Sequence, residues 1–365
     1  MLRPGQPAPI FSAGSPVNPE YRFSSLGGAF ILLAFLPSDA AARAEARGWL
    51  ERRRDLFDDK RLMAFGVLRD PEEIAAAKNE RGLRWFFDPE GALSRLYFAL
   101  DADGTERPHW VVCDPSLRIY AVAEIGRAEA IFSLLERLPD PDDHAGTPLH
   151  APVLVVPRVF EPDLCRRLIG VYETHGGAPS GVMREVNGKT VGVLDRTKSR
   201  RDAMVEDGEL RDLLRARLAT RLLPEIRKAF QFQVTHIERY MVACYDAAEG
   251  GFFSPHRDNT TSATAHRKFA CSINLNAEAF EGGDLRFPEF GRRTYRAPTG
   301  GAVIFSCSLL HEATPVTRGR RYAFLPFFYD AAGAAIRDEY ARRAAEAEAT
   351  RAAAEIQAAE AQGAA

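Results

Sequence analysis

The sequence predicts an α/β domain followed by an antiparallel β domain of the jelly-roll (double-stranded β-helix) type, with flanking helices and a helical tail. Strand and helix signals alternate up to about residue 138, which is typical of a central sheet with helices on both faces. Beyond residue 153, two helical stretches precede closely spaced short strands separated by Gly, Pro and Asn, which indicates an antiparallel sandwich or barrel. Residues 331–365 consist mainly of Ala, Glu and Arg, which favour helix.

The first domain is predicted to span residues 1–140. Gly28–Leu36 is a continuous apolar run, as expected of a buried central strand. Asp70 and Pro71 stand where a helix is expected to begin. The other predicted elements are the strands Arg61–Leu68, His109–Asp114 and Arg118–Ile125 and the helices Asp39–Phe57, Pro71–Arg81 and Ile125–Leu138.

Residues 141–152 are predicted to be an interdomain linker, because this stretch is rich in Pro, Gly and Asp and shows no apolar period. The second domain is predicted at 153–330, with helices at Glu161–His175 and Asp207–Phe230. Its predicted strands are Gln233–Tyr245, Lys268–Asn276, Gly283–Phe287, Gly291–Arg296, Ala302–Ser306 and Arg321–Tyr329. Residues 331–365 are predicted to form a solvated helix that frays toward its end.

The bulk properties give no reason to expect nucleic acid or a membrane as a partner. The chain has 365 residues and a formal net charge of −2, so no global field favours nucleic acid or an anionic membrane. No stretch is apolar enough to span a bilayer, and the N-terminus lacks the layout of a secretory signal. The five cysteines are scattered without a C-x-x-C pair, which favours reduced, partly buried thiols. We therefore expect a cytoplasmic protein; its oligomeric state stays open.

A His-x-Asp pair at His256 and Asp258 is followed by His311 and then by Arg321. Residues two apart on an extended segment point the same way, so the pair can reach one ion. A closed jelly roll can bring the strand that precedes His311 beside them. Two imidazoles and one carboxylate suit iron(II) and leave three coordination positions open. A guanidinium on the following strand, at Arg321, can grip a carboxylate by two parallel hydrogen bonds.

The same residues allow other interpretations. A lone His-x-Asp arises by chance in many chains with eight histidines, and a single histidine more often satisfies a local hydrogen bond. Zinc can use the same three ligands for hydrolysis. The ordered set favours iron: Gly-Gly, Pro-His-x-Asp, a strand, Gly-Gly, further strands, the second histidine and then the arginine.

Residues 233–330 resemble the prolyl 4-hydroxylase-like branch of the iron(II)/2-oxoglutarate dioxygenases. The resemblance is carried by Met241–Tyr245 (MVACY), His256–Asn259 (HRDN), Phe280–Glu289 (FEGGDLRFPE) and Leu309–Phe324 (LLHEATPVTRGRRYAF). It implies an enzyme, a 2-oxoglutarate-dependent dioxygenase that hydroxylates a C–H bond, of a prolyl or other residue in a protein or peptide, with release of succinate and CO2. The implied cofactors are Fe(2+), 2-oxoglutarate and O2, with L-ascorbate as an auxiliary reductant.

The resemblance also implies roles for individual residues. The implied iron ligands are His256, Asp258 and His311. Arg321 would hold the distal carboxylate of 2-oxoglutarate, and Tyr245 would line the same pocket. A second co-substrate tyrosine of hypoxia-type prolyl hydroxylases is replaced by Asn274, whose amide can still form a hydrogen bond. Arg320 is a rival to Arg321, but strand alternation would turn Arg320 away.

The sequence alone leaves two other functions open: hydroxylation of a small molecule, and non-catalytic binding of iron and 2-oxoglutarate by a sensor or adaptor. The charged stretch 178–205 is interpreted as a loop before the barrel. Its Arg200 and Arg201 either meet a substrate or belong to a solvated loop. His266 and Arg267 face either the pocket or a structural partner.

Residues 1–138 resemble the thioredoxin fold in its peroxiredoxin version. The resemblance is carried by Leu2–Phe11 and Gly27–Glu45. Peroxiredoxins have Thr and the reactive Cys where this chain has Ala41 and Ala44. No cysteine precedes Cys113, and thiol peroxidase chemistry needs an activated thiolate. We therefore expect a redox-inactive thioredoxin-like domain, and the resemblance implies a cis proline at Pro108.

Overall fold

The computed structural model describes residues 2–186 and 189–363, and the chain divides into two compact units. Unit 1 comprises Met1–Ala151 and Phe287–Arg293, and unit 2 comprises Pro152–Arg286 and Thr294–Ala365. Residues 287–293 contribute to unit 1 through Arg292, whose side chain pairs with Asp140 at 2.9 Å. Unit 1 thus includes a short segment that lies far along the sequence, which the predicted boundaries did not contain.

Unit 1 is a thioredoxin-like α/β domain built on a seven-stranded sheet. Its strands are β1 (Ser12–Ser15), β2 (Asn18–Arg22), β3 (Phe30–Phe35), β4 (Leu62–Leu68), β5 (Leu83–Phe87), β6 (His109–Cys113) and β7 (Ile119–Glu124). Its helices are α1 (Ala40–Arg52), α2 (Pro71–Ala76), α3 (Ala92–Leu96) and α4 (Ala128–Glu136). The strand order is β2-β1-β5-β4-β3-β6-β7, with β3, β4 and β5 parallel and β6 antiparallel to β3.

The core of unit 1 lies on both faces of this sheet. Strand β3 is buried along its whole length, as its apolar run predicts. Its alternate side chains enter two separate apolar clusters, Leu33 on one face and Leu32 on the other. Helices α1 and α2 begin where Asp39 and Asp70 accept hydrogen bonds from backbone N–H groups of the first turn.

Unit 1 departs from the sequence prediction in several places, and the short helix α3 is among the elements that were not predicted. The hairpin of β1 and β2 and the strand β5 were not predicted, because short strands that alternate with polar residues give a weak signal. Helix α2 ends at Ala76, not at Arg81, since Ala77 already has an extended backbone. The prediction of a cis proline at Pro108 is wrong, because the described residues contain no cis peptide bond.

Unit 2 is a jelly roll with flanking helices. Its helices are α5 (Pro162–His175), α6 (Gly208–Arg221), α7 (Leu223–Phe230) and α8 (Ala331–Gly363). Its strands up to the His-x-Asp motif are β8 (Leu154–Val156), β9 (Ala178–Pro179), β10 (Val182–Val186), β11 (Lys189–Val193), β12 (Lys198–Ser199), β13 (Arg201–Met204), β14 (His236–Glu238), β15 (Met241–Asp246) and β16 (Phe252–His256). The later strands are β17 (Phe269–Asn274), β18 (Glu281–Gly282), β19 (Leu285–Arg286), β20 (Thr294–Tyr295), β21 (Ala302–Ser306), β22 (His311–Ala313), β23 (Val316–Arg318), β24 (Arg320–Phe324) and β25 (Phe327–Tyr329).

Two sheets enclose the interior of unit 2. The larger sheet has the order β14-β25-β17-β24-β15-β13-β9, with β21 and β8 attached through β17, and the smaller one has the order β12-β16-β22-β19-β20. On β15, Val242 and Cys244 pack in the core that contains the helices, whereas Ala243 and Tyr245 pack with Ala313 of the smaller sheet. Every second residue of the larger sheet therefore faces the interior between the sheets.

The sequence predicted a loop at 178–205, but this stretch forms the strands β9 to β13. Strand β13 pairs with β15 in the larger sheet, and β12 pairs with β16 in the smaller one. Charged residues are rare in strands, which is why this stretch gave no strand signal. Asn187 and Gly188, within the predicted loop, lie outside the described residues.

Two prolines and one residue with a positive φ interrupt three of the predicted elements. The predicted helix 207–230 breaks before Pro224, whose missing N–H cannot continue the ladder. Arg239, with a φ of 70°, separates β14 from β15, and Pro326 separates β24 from β25. The predicted strand Gly291–Arg296 is reduced to the two residues of β20.

The C-terminal tail forms the single helix α8, as predicted, and Ala364 and Ala365 lie outside the described residues. Its composition rather than an apolar stripe accounts for the helix, since Ala, Glu and Arg have high helix propensity. Among the described residues, no helix combines the length and the apolar character needed to cross a membrane.

Candidate active site

Three predicted ligands meet at one end of the smaller sheet. His256 ends β16, His311 begins β22, and the two are register partners. Asp258 follows β16, where its backbone N–H donates to the Cys307 carbonyl at 3.0 Å. Asp258 Oδ1 lies 3.5 Å from His256 Nε2, and Oδ2 lies 3.3 Å from His311 Nε2. One ligand atom from each of the three residues lies within 4.8 Å of the other two.

Both histidines present Nε2 to this cluster because Nδ1 is engaged elsewhere. His256 Nδ1 lies 2.8 Å from the Ser254 carbonyl oxygen, and His311 Nδ1 lies 3.0 Å from that of Leu309. A carbonyl oxygen only accepts, so each Nδ1 carries the proton and each Nε2 keeps its lone pair. Backbone carbonyls commonly fix metal-binding histidines in this way.

The surroundings keep the cluster in its metal-binding protonation states. Burial alone would raise the pKa of Asp258, but His311 and His256 hold it well below its usual range. Burial and the nearby His256 lower the pKa of His311 to about 4. An ionised carboxylate and neutral imidazole are the forms that bind a divalent ion without releasing a proton.

The donor set fits iron(II). Two imidazole nitrogens and one carboxylate form the facial set of non-haem iron oxygenases, with positions left for other ligands. In the part of the chain that the structure describes, no fourth His, Cys, Asp or Glu joins this group. The same donors also accept zinc, so the choice of metal depends on what lies beside the cluster.

Arg321 lies inside the jelly roll and is only 3% exposed. It is the register partner of Tyr245, and its guanidinium carbon lies 5.1 Å from the centroid of the Tyr245 ring. Arg321 Nη2 donates to Ser272 Oγ at 2.7 Å, and Nε donates to Asn274 Oδ1 at 3.3 Å. These partners are neutral, and among the described residues no carboxylate oxygen lies within 4.0 Å of a guanidinium nitrogen of Arg321. Burial lowers the pKa of Arg321, and such an uncompensated cation suits a ligand carboxylate.

Ser272 was not among the residues predicted from the sequence, although its spacing from Asn274 gave a signal. Ser272 lies two residues before Asn274 on β17, so both side chains share the inner face. Asn274 Nδ2 donates to the Ala297 carbonyl at 2.8 Å, which leaves Oδ1 as the acceptor for Arg321. The amide therefore orients the arginine.

Cationic side chains of the stretch 178–205 also reach this interior. Arg200 is 8% exposed, and its Nη1 donates to the Tyr245 hydroxyl at 3.4 Å. Lys198 Nζ lies 4.8 Å from the centroid of the Phe253 ring. Arg200 was a sequence candidate, whereas Lys198 was not, because nothing marked the stretch as strands with alternating faces.

Two other sequence candidates point away from the site. Arg320 is exposed and pairs with Asp246 at 2.6 Å, which agrees with the expectation that alternation turns it away. Arg201 donates to the Gly177 carbonyl at 2.9 Å, near the end of α5. Successive side chains of an extended segment point to opposite sides, which separates Arg320 from Arg321 and Arg201 from Arg200.

His266 and Arg267 take the structural alternative. His266 Nε2 lies 2.7 Å from Glu238 Oε2, and Arg267 Nη2 lies 2.5 Å from Glu238 Oε1. This buried three-residue network joins β14 to the segment before β17. Burial would raise the pKa of Glu238, but these two partners lower it to about 2.

Part of this chain matches a known family. The model of the 2OG-Fe(II) oxygenase superfamily matches residues 240–329, which contain all three ligands and Arg321. This chain contains a 2OG-Fe(II) oxygenase domain. A PKHD-type hydroxylase from Synechococcus sp. (strain JA-2-3B'a(2-13)) is 30% identical over 93 residues, which cover 24% of this chain. The match spans only 41% of the length of that relative.

Two solved structures are also similar to parts of the chain. A prolyl-4-hydroxylase from Pseudomonas putida, at 20% identity and a TM-score of 0.39, covers 52% of this chain and 95% of its own. A protein described as thiol:disulfide interchange protein DsbE from Chlorobium tepidum, at 19% identity and a TM-score of 0.31, covers 37% of this chain and 97% of its own.

The thioredoxin-like unit has Ala44, and so no thiol, at the position of the reactive cysteine of peroxiredoxins. Ala41 and Ala44 lie in helix α1, and all five cysteines of the chain are free and buried. Cys113 lies in β6, where burial raises the pKa of its thiol well above the ordinary value. Peroxide reduction requires an accessible thiolate, and Cys113 does not provide one.

Proposed function

We propose that this chain is an iron(II)- and 2-oxoglutarate-dependent dioxygenase that hydroxylates a C–H bond of a prolyl or other residue in a protein or peptide. The observation that carries the proposal is the combination of the three-ligand cluster with the buried, uncompensated guanidinium of Arg321. A zinc hydrolase could use the same three ligands but would give that cation no role. Similarity to PKHD-type hydroxylases supports hydroxylation as the reaction.

Each residue of the site has a defined part in this proposal. His256, Asp258 and His311 would hold the iron. Bound iron(II) supplies the activation of dioxygen that couples conversion of 2-oxoglutarate to succinate and CO2 with hydroxylation of the substrate. L-ascorbate as an auxiliary reductant belongs to the same proposal.

The protein contributes binding, orientation and exclusion of water. Arg321 would bind the distal carboxylate of 2-oxoglutarate, while Tyr245 and Asn274 line the pocket around it. The Phe253 ring stacks on His256 at 3.5 Å between centroids and shields that side of the cluster. We further propose that the thioredoxin-like unit is redox-inactive, because Ala44 stands where peroxiredoxins have their reactive cysteine.

The proposal is tested with the full chain, loaded with iron(II) and 2-oxoglutarate without oxygen and then exposed to air. We expect succinate to form only when both iron(II) and 2-oxoglutarate have been added. After incubation with a cell extract, mass spectrometry should detect a product that has gained one oxygen atom. His256→Ala should abolish succinate formation, whereas His175→Ala, an exposed histidine at the end of α5, should retain it. Wild-type protein that binds iron and 2-oxoglutarate but forms no succinate would be a sensor or adaptor instead.

A further inference from the structure

Cations that neither the metal cluster nor the 2-oxoglutarate pocket uses lie in the interior of the oxygenase domain. They are Lys198, Arg200 and Arg239. Arg200 is neutralised by Asp202, since its Nε and Nη2 lie 2.7 Å from the two carboxylate oxygens. Among the described residues, neither Lys198 nor Arg239 has a carboxylate within 4.0 Å. Neither group therefore has a counter-ion among the described residues. Burial and the charge of Arg200 lower the pKa of Lys198 to about 6, so a bound anion would favour its charged form.

Lys198 is placed beside the metal cluster. Its Nζ lies 4.8 Å from the centroid of the Phe253 ring, and that ring stacks on His256. Nζ donates to Ser180 Oγ at 2.7 Å and to the Gly181 carbonyl at 2.8 Å. In its charged form the amine has three N–H donors, so these two bonds hold the group in place and leave one donor for a ligand.

Arg239 is held by the backbone in an unusual conformation. Its φ of 70° is rare for a residue with a long side chain, and such strain persists where the surrounding structure imposes it. The guanidinium carbon lies 5.3 Å from the centroid of the Phe327 ring. Burial and the charges of Arg200 and Arg267 lower the pKa of Arg239 to about 10, as expected of an excess of positive charge.

The nearby carboxylates are already committed to other partners. Glu238 binds His266 and Arg267, and Asp202 binds Arg200. Asp258 belongs to the metal cluster. Lys198 and Arg239 are half-buried, and a ligand that supplies negative charge would offset the cost of keeping two neighbouring basic groups partly out of water.

We propose that the substrate of this oxygenase carries a carboxylate and that Lys198 and Arg239 bind it. This inference rests on the function proposed above and names the substrate class of the same site. The charge of Arg239 acts on Lys198 and lowers its pKa, which places the two groups near one another. One ammonium and one guanidinium match the two oxygens of a carboxylate, whereas a phosphate would offer three acceptor oxygens and a second charge. The carboxylate can belong to an acidic residue near the target residue of a peptide or to a free carboxylic acid.

The test compares matched probes in the iron- and 2-oxoglutarate-dependent succinate assay with the full chain. One set consists of proline peptides blocked at both ends, in pairs that differ only by Asp or Asn, or by Glu or Gln, beside the proline. The other set consists of N-acetylproline and its amide. We expect the acidic member to stimulate succinate formation with a kcat/KM at least about tenfold above that of its amide, and the set that responds identifies the source of the carboxylate.

Variants assign that preference to the two cations. Lys198→Met and Arg239→Gln should each reduce the ratio of acidic to amide kcat/KM toward one, and Lys198→Arg should recover most of it. Arg196→Gln, an exposed arginine two residues from Lys198, should keep the wild-type ratio.

The outcomes separate this inference from the function on which it rests. If wild-type protein forms succinate in an iron-dependent manner, but acidic and amide probes act alike or neither acts, the carboxylate inference is wrong and the oxygenase function stands. An unchanged ratio in both Lys198→Met and Arg239→Gln also overturns it. If wild-type protein forms no iron-dependent succinate at all, both proposals fail.

Discussion

His256 and His311 are register partners across the β16–β22 pair, and their ring centroids lie 4.3 Å apart. The strand pairing shifts register between Phe253 and His256, and such a bulge re-aims the side chain that follows it. Each ring is fixed by a hydrogen bond from Nδ1 to a carbonyl two residues earlier. Two of the three candidate ligands, His256 and His311, therefore stand on paired strands rather than on a mobile loop, which favours a preorganised site.

Asp258→Asn should weaken iron(II) binding by at least about a hundredfold, because an amide supplies no charge and is a poor ligand beside two neutral imidazoles. Anaerobic isothermal titration of the metal-free protein with iron(II) would measure the change. Asp212→Asn is the matched control, since this exposed carboxylate pairs only with Arg215 at 3.1 Å among the described residues. Equal affinity of the two variants would contradict the assignment of Asp258 as a ligand.

Arg321→Gln should raise the dissociation constant for 2-oxoglutarate by about a hundredfold, because it removes the charge and the paired donors from a buried pocket. Arg320→Gln should leave this constant unchanged, because Arg320 is exposed and bound to Asp246. Binding can be followed by equilibrium dialysis of labelled 2-oxoglutarate with the metal-loaded protein. A larger effect at Arg320 than at Arg321 would reverse the assignment.

Glu238→Gln should destabilise unit 2 by about 3 kcal/mol at neutral pH, because it leaves His266 and Arg267 buried without their carboxylate. The pKa of Glu238 falls from an ordinary 4.5 to about 2 in the folded protein. Its stabilisation is therefore complete above about pH 4.5 and is lost as the pH falls toward 2.

Urea unfolding followed by far-ultraviolet circular dichroism at pH 7 and pH 3 would test this pH dependence. The difference in the free energy of unfolding between wild type and Glu238→Gln should be smaller at pH 3. Glu348→Gln, on the exposed part of α8, should show no difference at either pH. A difference that stays constant between the two pH values would show that the carboxylate charge is not responsible.

The five cysteine thiols should react slowly with an aromatic disulfide reagent in the native protein, because all of them are buried. Complete reaction is expected after unfolding in urea. Rapid labelling of Cys113 in the native protein, identified by peptide mass spectrometry, would show an accessible thiol in the thioredoxin-like unit and would contradict its proposed redox inactivity.

The sequence was most informative where local pattern and chemistry coincide. The continuous apolar run of β3 predicted a buried central strand, and His256, Asp258 and His311 were found from residue type and order alone. The preference for Arg321 over Arg320 also followed from sequence, because strand alternation is a local property. The resemblance to known families added the co-substrate and the missing thiol at Ala44.

Tertiary structure decided what local pattern does not encode. Strand pairing turned the charged stretch 178–205 into strands and thereby moved Lys198 and Arg200 from an expected loop into the interior. Whether a buried charge is compensated depends on carboxylates that approach from distant segments, as Asp202 does for Arg200 and Glu238 does for Arg267. The sequence by itself thus identified the candidate metal ligands, because residue type and order carry that signal. Only the folded chain determined which cations lack a carboxylate partner among the described residues, because that depends on the charges that distant segments bring beside them.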